Sequence, residues 1–213
     1  MPLKLVSFDM DGTLLRNINS VHFLCRVHQQ TAAAEQIDDL YRRKQLDWIE
    51  SDYRKALLLA GLSLADVSVQ FEQYVHVIDN FDKVIRRLQQ VGVRTVIITA
   101  GPVAVARVLA EKYGLDDVFG SQYEIRDGLF TGRILDHLGR EGKLRGLEHF
   151  CHRWQLQPED FAAVGDAGSD LVIFRRCGLS VAINYTASLE GQADHYYRTE
   201  DLMDILEVLL AAA

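Results

Sequence analysis

Three short apolar runs, far apart in the chain, each end abruptly in polar residues or glycine. They cover residues 3–8, 94–98 and 161–164. Runs this short and this apolar are typical of strands that are covered on both faces, as in a parallel sheet. Helical patterns lie between them, for example at residues 81–88 and 103–113. The sequence therefore predicts an α/β fold with a doubly wound parallel sheet, whose ligands gather beyond the carboxyl ends of the strands.

Residues 15–78 differ from the rest of the chain because they contain no clear strand pattern. Apolar side chains recur there at helical spacing, for example in residues 48–57. We expect a small all-helical cap at residues 15–78, inserted into a catalytic core made of residues 1–14 and 79–213. The alternative is a helical hairpin packed beside the sheet with no part in binding.

A second local pattern, residues 123–131, predicts a β-hairpin. Apolar and polar residues flank an Asp-Gly pair at residues 127–128. Asp-Gly suits a two-residue type I′ turn because both positions require a positive φ.

Charge and composition exclude several classes of partner. The formal net charge is -7, and no dense Lys/Arg cluster is present. We therefore expect no nucleic-acid partner. No apolar stretch is long enough for a bilayer, and nothing resembles a signal peptide, so we expect no membrane partner. The three scattered cysteines, Cys25, Cys151 and Cys177, indicate free thiols in a reducing compartment. We expect a cytoplasmic protein, and its oligomeric state is left open.

The first apolar run ends in two aspartates, Asp9 and Asp11, followed by Gly12. Phosphoryl transfer needs a nucleophile and a proton donor for the leaving oxygen. Asp9 can attack phosphorus as an ionised carboxylate, while Asp11 in its protonated form serves the leaving group. A metal ion would let an anionic carboxylate approach an anionic phosphate. Ordinary turn chemistry and a calcium loop are alternative interpretations of this motif.

Two further elements are candidates for phosphate binding. The second apolar run ends in Thr99, Ala100 and Gly101, whose hydroxyl and amides can hold phosphate oxygens at the start of a helix. Alternatively, Thr99 is only the N-cap of that helix. Lys143 lies just before an amphipathic helix and can supply a positive charge, although most lysines at helix starts are simply solvated.

The third apolar run ends in a loop with two carboxylates, Asp166 and Asp170, separated by small residues. Carboxylates at this spacing can bind Mg²⁺ with waters completing its octahedron. A glycine turn followed by a helix-capping aspartate would explain Asp170, but it explains Asp166 poorly, because an unpaired carboxylate at the end of a buried strand is costly.

Together these segments resemble the four motifs of the haloacid dehalogenase superfamily of hydrolases. The resemblance rests on Asp9-Met10-Asp11-Gly12-Thr13, on Thr99, on Lys143 and on the run from Gly165 to Asp170. Residues 127–132 and 165–182 further resemble the phosphoserine phosphatase group, whose cap follows the first strand. This implies a Rossmann-like core and a nucleophile, Asp9, assisted by Asp11 as general acid and base.

The resemblance also implies a cofactor and a binding site for the phosphate. Mg²⁺ would be held by the Asp9 carboxylate, the Asp11 backbone carbonyl and Asp166, with support from Asp170. Thr99, Gly101 and Lys143 would hold the phosphate, with Ala100 between them.

The chain departs from phosphoserine phosphatases at positions that bear on specificity. Ile18 stands near the place of the glutamate that reads the substrate amine, and Thr99-Ala100-Gly101 replaces Ser-Gly-Gly. Arg54 can match the arginine that reads the substrate carboxylate, or it can be a solvated residue of a cap helix.

We therefore expect a Mg²⁺-dependent phosphomonoesterase that hydrolyses a small phosphorylated metabolite through an aspartyl-phosphate. One alternative is a phosphotransferase or mutase on the same scaffold. Another is a non-catalytic binding or regulatory module, which would not require both Asp9 and Asp11.

Overall fold

The fold is built on one mixed sheet, seen in a computed structural model that describes residues 2–139 and 141–213. The sheet has seven strands in the order β4-β3-β2-β1-β5-β6-β7. All neighbouring strands are parallel except β3 and β4, which are antiparallel. The strands are β1 (Leu5–Phe8), β2 (Arg94–Pro102), β3 (Asp117–Arg126), β4 (Leu129–Asp136), β5 (Phe161–Gly165), β6 (Leu179–Ile183) and β7 (His195–Tyr197).

Helices alternate with the strands of the core, and five of the helices described here lie between β1 and β2. The helices in the described ranges are α1 (Ser20–Val27), α2 (Thr31–Arg42), α3 (Trp48–Leu57), α4 (Leu64–Tyr74), α5 (Phe81–Gln90), α6 (Val103–Tyr113), α7 (Gly142–Trp154), α8 (Leu171–Phe174) and α9 (Leu206–Ala212). None of the helices in these parts of the chain has the length and apolar character needed to span a bilayer.

The central strands are buried on both faces, as their apolar composition predicts. In β1, Leu5 packs into one apolar cluster, and Val6 and Phe8 pack into the cluster on the other face. Neighbouring strands alternate in the same way. The doubly wound α/β fold is thereby confirmed, with an antiparallel strand, β4, added at one edge.

The predicted hairpin is confirmed as the turn between β3 and β4. Asp127 and Gly128 both have positive φ, 51° and 77°, which is the combination that a type I′ turn requires. The hairpin matters for the site because α3 of the inserted segment packs against β4. The exact bounds of core and cap stay a prediction.

Candidate active site

Strand register brings the first and third predicted motifs together. Phe8 is paired with Val164 of β5 on one side and with Ile97 of β2 on the other. Asp9, the next residue, donates its backbone N–H to the Val164 carbonyl at 2.9 Å. Because all three strands are parallel, Asp9, Asp166 and Thr99 come out at the same edge of the sheet.

Lys143, in the first turn of α7, contacts Asp9 and a further carboxylate, Asp170, from the loop after β5. Its Nζ lies 2.6 Å from Asp9 Oδ1 and 2.6 Å from Asp170 Oδ1. The lysine side chain is 1% exposed and the two aspartates 6% and 5%, so water screens these pairs little. Burial opposes the charge of Lys143, but the carboxylates of Asp170 and Asp9 outweigh it and raise its pKa above the usual value. Lys143 therefore keeps its positive charge, and the two carboxylates hold its ammonium group in place.

Asp170 is held at both of its oxygens. One accepts from Lys143, and the other accepts the backbone N–H groups of Asp166 and Ala167 at 3.2 and 3.1 Å. These bonds close the loop after β5, and Gly165 allows it because a Cβ there would collide with the Asp170 carboxylate. Asp170 thus orients the loop that carries Asp166.

The carboxylates fit a divalent cation. Asp9, Asp166 and Asp170 each offer an oxygen, and these atoms all lie within 4.8 Å of one another. With the ammonium of Lys143, the three ionised carboxylates carry a formal charge of −2. Hard oxygen donors with this excess of charge suit Mg²⁺.

The pKa values express the same excess of negative charge. Burial raises the pKa of Asp166 to about 6, and the charge of Asp170 adds to this. Burial also raises the pKa of Asp9. The charge of Lys143 lowers this pKa, and the charges of Asp170 and Asp166 raise it further. A bound cation would favour the ionised form of both groups.

Asp11 lies in the same cleft but is held separately. Its Oδ1 accepts the backbone N–H of Ser20 at 2.6 Å, and its Oδ2 accepts the Ser20 hydroxyl at 2.5 Å. Burial raises the pKa of Asp11 to about 6, against the effect of these hydrogen bonds. A carboxyl with this pKa can both release and accept a proton near neutral pH.

The second motif lies within β2 and not at a helix cap. The N-cap of α6 is Pro102, so Thr99 has no capping role. Thr99 Oγ1 accepts the backbone N–H of Gly101 at 2.9 Å, which leaves its hydroxyl hydrogen for an anion in the cleft. Gly101 packs so closely that a Cβ would lie 2.5 Å from Ser20 Oγ and 2.7 Å from Asp11 Oδ2.

One cleft of about 210 Å³ is lined by residues of the four motifs and by three side chains from α3. The motif residues that line it include Asp9, Asp11, Thr99, Ala100, Gly101, Lys143 and Asp166. Trp48, Asp52 and Lys55 are spaced i, i+4 and i+7, which places them on one helical face. Lys55 is buried and lies 2.5 Å from Asp38. Sequence reasoning missed these residues because it treated the spacing of α3 only as an apolar packing pattern.

Arg54, predicted as a substrate residue, does not join the cleft. Its side chain is 45% exposed and pairs with Glu50 at 2.7 Å, and it lines a separate surface cavity. One residue along a helix turns the side chain by about 100°, so Lys55 faces the cleft where Arg54 cannot. Ile18 packs against the apolar core, so no carboxylate faces the site from that position.

A fold and a site of this kind define a class of hydrolases. The chain belongs to the haloacid dehalogenase-like hydrolase family, whose model matches residues 6–175. The family predicted from the four motifs is therefore confirmed.

Several relatives of the chain are named phosphoserine phosphatase. The protein of Idiomarina loihiensis is 26% identical over 96% of this chain and 93% of its own length. That of Mycobacterium tuberculosis is 30% identical over 90% of this chain, which spans only 46% of that longer protein. A solved phosphoserine phosphatase, described as a phospho-aspartyl intermediate analogue, has a TM-score of 0.80 at 25% identity and covers 98% of this chain and 99% of its own. The predicted phosphatase class is thereby confirmed.

Proposed function

We propose that the chain is a Mg²⁺-dependent phosphomonoesterase that acts on a small phosphorylated metabolite, with phosphoserine as the first candidate. The observation that carries this proposal is the convergence of Asp9, Asp166, Asp170 and Lys143 at one sheet edge, with Asp11 fixed beside them. The names of the relatives support phosphoserine as candidate.

Asp9 is the proposed nucleophile. Lys143 binds Asp9 Oδ1, which orients the carboxylate and leaves its second oxygen for attack on phosphorus. The bond to the leaving oxygen breaks as Asp11 protonates that oxygen. Asp11 then removes a proton from water, which hydrolyses the aspartyl-phosphate and releases inorganic phosphate. With a pKa of about 6, roughly a tenth of Asp11 is protonated at pH 7.

Thr99 and Lys143 are proposed to bind the phosphate oxygens, while the predicted ligand Gly101 donates its backbone N–H to Thr99 Oγ1 and orients that hydroxyl. Thr99 and Lys143 both line the cleft, and donors held in place in this way stabilise developing charge strongly. Asp9, Asp166 and the Asp11 carbonyl would hold Mg²⁺, with Asp170 supporting them. The ion would neutralise charge on the phosphate and on Asp9.

The test is hydrolysis of an aryl phosphate with Mg²⁺ by the wild type and by Asp9→Asn. We expect the variant to lose turnover while its circular dichroism spectrum is unchanged, because the amide keeps the shape of the side chain but is not a nucleophile. EDTA should abolish wild-type turnover, and added Mg²⁺ should restore it. The matched control is Asp39→Asn, whose side chain is 52% exposed on α2, and it should turn over at the wild-type rate. A wild-type rate in Asp9→Asn would refute the mechanism.

A panel of phosphorylated metabolites, phosphoserine included, would identify the leaving group. Phosphate release in water compared with transfer to added alcohols distinguishes a hydrolase from a phosphotransferase. The cytoplasmic location predicted from the sequence stays a prediction.

A further inference from the structure

The cap contributes one negative charge to the cleft that the proposed chemistry does not use. Asp52 of α3 lines the cleft together with Asp11, Thr99 and Lys143. It belongs to a helix of the inserted segment, whereas the carboxylate cluster follows the strands of the sheet. Its side chain is 19% exposed, so a ligand in the cleft can reach it.

The partner of Asp52 is a neutral imidazole. His137, in the segment after β4, lies with Nε2 at 3.1 Å from Asp52 Oδ2. Its Nδ1 accepts the backbone N–H of Gly139 at 3.0 Å, so Nδ1 carries no hydrogen. The ring therefore donates through Nε2–H to Asp52 and has no charge of its own. The imidazole orients the carboxylate and leaves its negative charge uncompensated.

The cation nearest to Asp52 along the same helical face is engaged elsewhere. Lys55 Nζ lies 2.5 Å from Asp38 Oδ1, and Asp38 offsets its charge. His22 Nε2 contacts the other oxygen of Asp38 at 2.6 Å. Among the residues that the structure describes, Asp52 has no ion-pair partner within 4.0 Å other than His137.

Trp48 and Tyr53 hold this arrangement in place. The ring of His137 is stacked on Tyr53, with centroids 5.7 Å apart, and lies 5.1 Å from the Trp48 centroid. Since the imidazole side chain is only 4% exposed, its hydrogen bond to Asp52 is shielded from water. Asp52 is therefore an oriented carboxylate that lines the same cleft as the proposed phosphate-binding groups.

From this geometry we infer that Asp52 is a specificity-determining residue that binds an ammonium group on the leaving alcohol, so that the enzyme prefers phosphate esters of amino alcohols. A neutral or anionic leaving group would leave the Asp52 charge unpaired in the cleft, which is unfavourable. An ammonium group would form a charge-assisted hydrogen bond with it. Asp52 can bind the ammonium group in this chain because Ile18, which packs against the apolar core, provides no carboxylate for it. This inference rests on the proposed phosphatase function.

The experiment compares two esters that differ by one ammonium group, 2-aminoethyl phosphate and ethyl phosphate, with Mg²⁺ present. We expect kcat/KM of the wild type to favour 2-aminoethyl phosphate by about tenfold, the equivalent of one partly buried charge-assisted contact of roughly 1.4 kcal/mol. In Asp52→Asn the ratio should fall to about one, chiefly because KM for 2-aminoethyl phosphate rises. The matched control is Glu50→Gln, which removes one negative charge from the same helix at an exposed site and should keep the wild-type ratio.

The outcomes separate this inference from the proposed function. A wild-type ratio near one overturns it without any variant. A ratio that survives in Asp52→Asn also overturns it, even if activity on both esters drops equally, since that result is typical of a structural role. If the wild type hydrolyses neither ester nor an aryl phosphate, the proposed function fails as well.

Discussion

Lys143 should be as important for stability as it is for catalysis, and replacing it with methionine tests this. Methionine keeps most of the buried stem and removes only the ammonium. At 2.6 Å and an effective dielectric constant of about 20, each pair with Asp9 and Asp170 has a Coulomb attraction of roughly 6 kcal/mol. Desolvation of the three buried ions opposes most of this, and loss of one partner from such a group costs about 3–5 kcal/mol.

The assay is urea unfolding at pH 8 in EDTA, followed by tryptophan fluorescence and by circular dichroism. We expect the free energy of unfolding of Lys143→Met to be about 3–5 kcal/mol below that of the wild type, with an unchanged m-value. The exposed pair of Lys112 and Glu72 supplies the control, since Lys112→Met should cost under about 1 kcal/mol.

The pH dependence of this difference has a definite sign. Without Lys143, burial and the charges of Asp170 and Asp166 raise the pKa of Asp9 further. Folded-state pKa values above the unfolded ones favour the fold at low pH, and this contribution is lost as the pH rises through them. The deficit of the variant should therefore shrink between pH 8 and pH 5, and Mg²⁺ should reduce it at pH 8. A variant within about 1 kcal/mol of the wild type at pH 8 in EDTA would refute the reasoning.

Two further predictions concern the motif after β1. Ser20→Ala removes a hydrogen bond that favours the ionised form of Asp11, so its pKa should rise above about 6. Hydrolysis of an alkyl phosphate needs protonated Asp11, so the alkaline fall of kcat/KM should move to higher pH; an unmoved profile would exclude Asp11 as the acid. Gly12 and Gly61 both have φ of +89°, but only at Gly12 would a Cβ collide with Asp166. Urea unfolding should therefore show Gly61→Ala losing about 1–2 kcal/mol and Gly12→Ala more, with Mg²⁺-dependent activity lost only in the latter; equal losses would contradict the collision.

The sequence by itself determined the sheet and its acidic edge. Residues 3–8 and 161–164 are short apolar runs that end in Asp9 and Asp166, and such runs form strands because burial on both faces is the main source of their stability. Parallel strands expose their carboxyl ends at one edge, so the meeting of Asp9 and Asp166 could be predicted without coordinates.

The tertiary structure decided how the other groups meet that edge. Lys143 lies between Asp9 and Asp170 because α7 packs against β2, a contact between distant parts of the chain that no local pattern encodes. The bond between Asp11 and Ser20 depends in the same way on how α1 leaves the core.

The cap shows most clearly where prediction from the sequence ended. Helix α3 was predictable from its apolar spacing, but its rotation was not, and that rotation directs Asp52 and Lys55 into the cleft and Arg54 to solvent. It is set by packing of α3 against β4 and by the contact of Asp52 with His137, which lies 85 residues away in the chain. Successive side chains on a helix point about 100° apart. A helix whose bounds are predicted correctly but whose rotation is not therefore leads to the wrong binding residue.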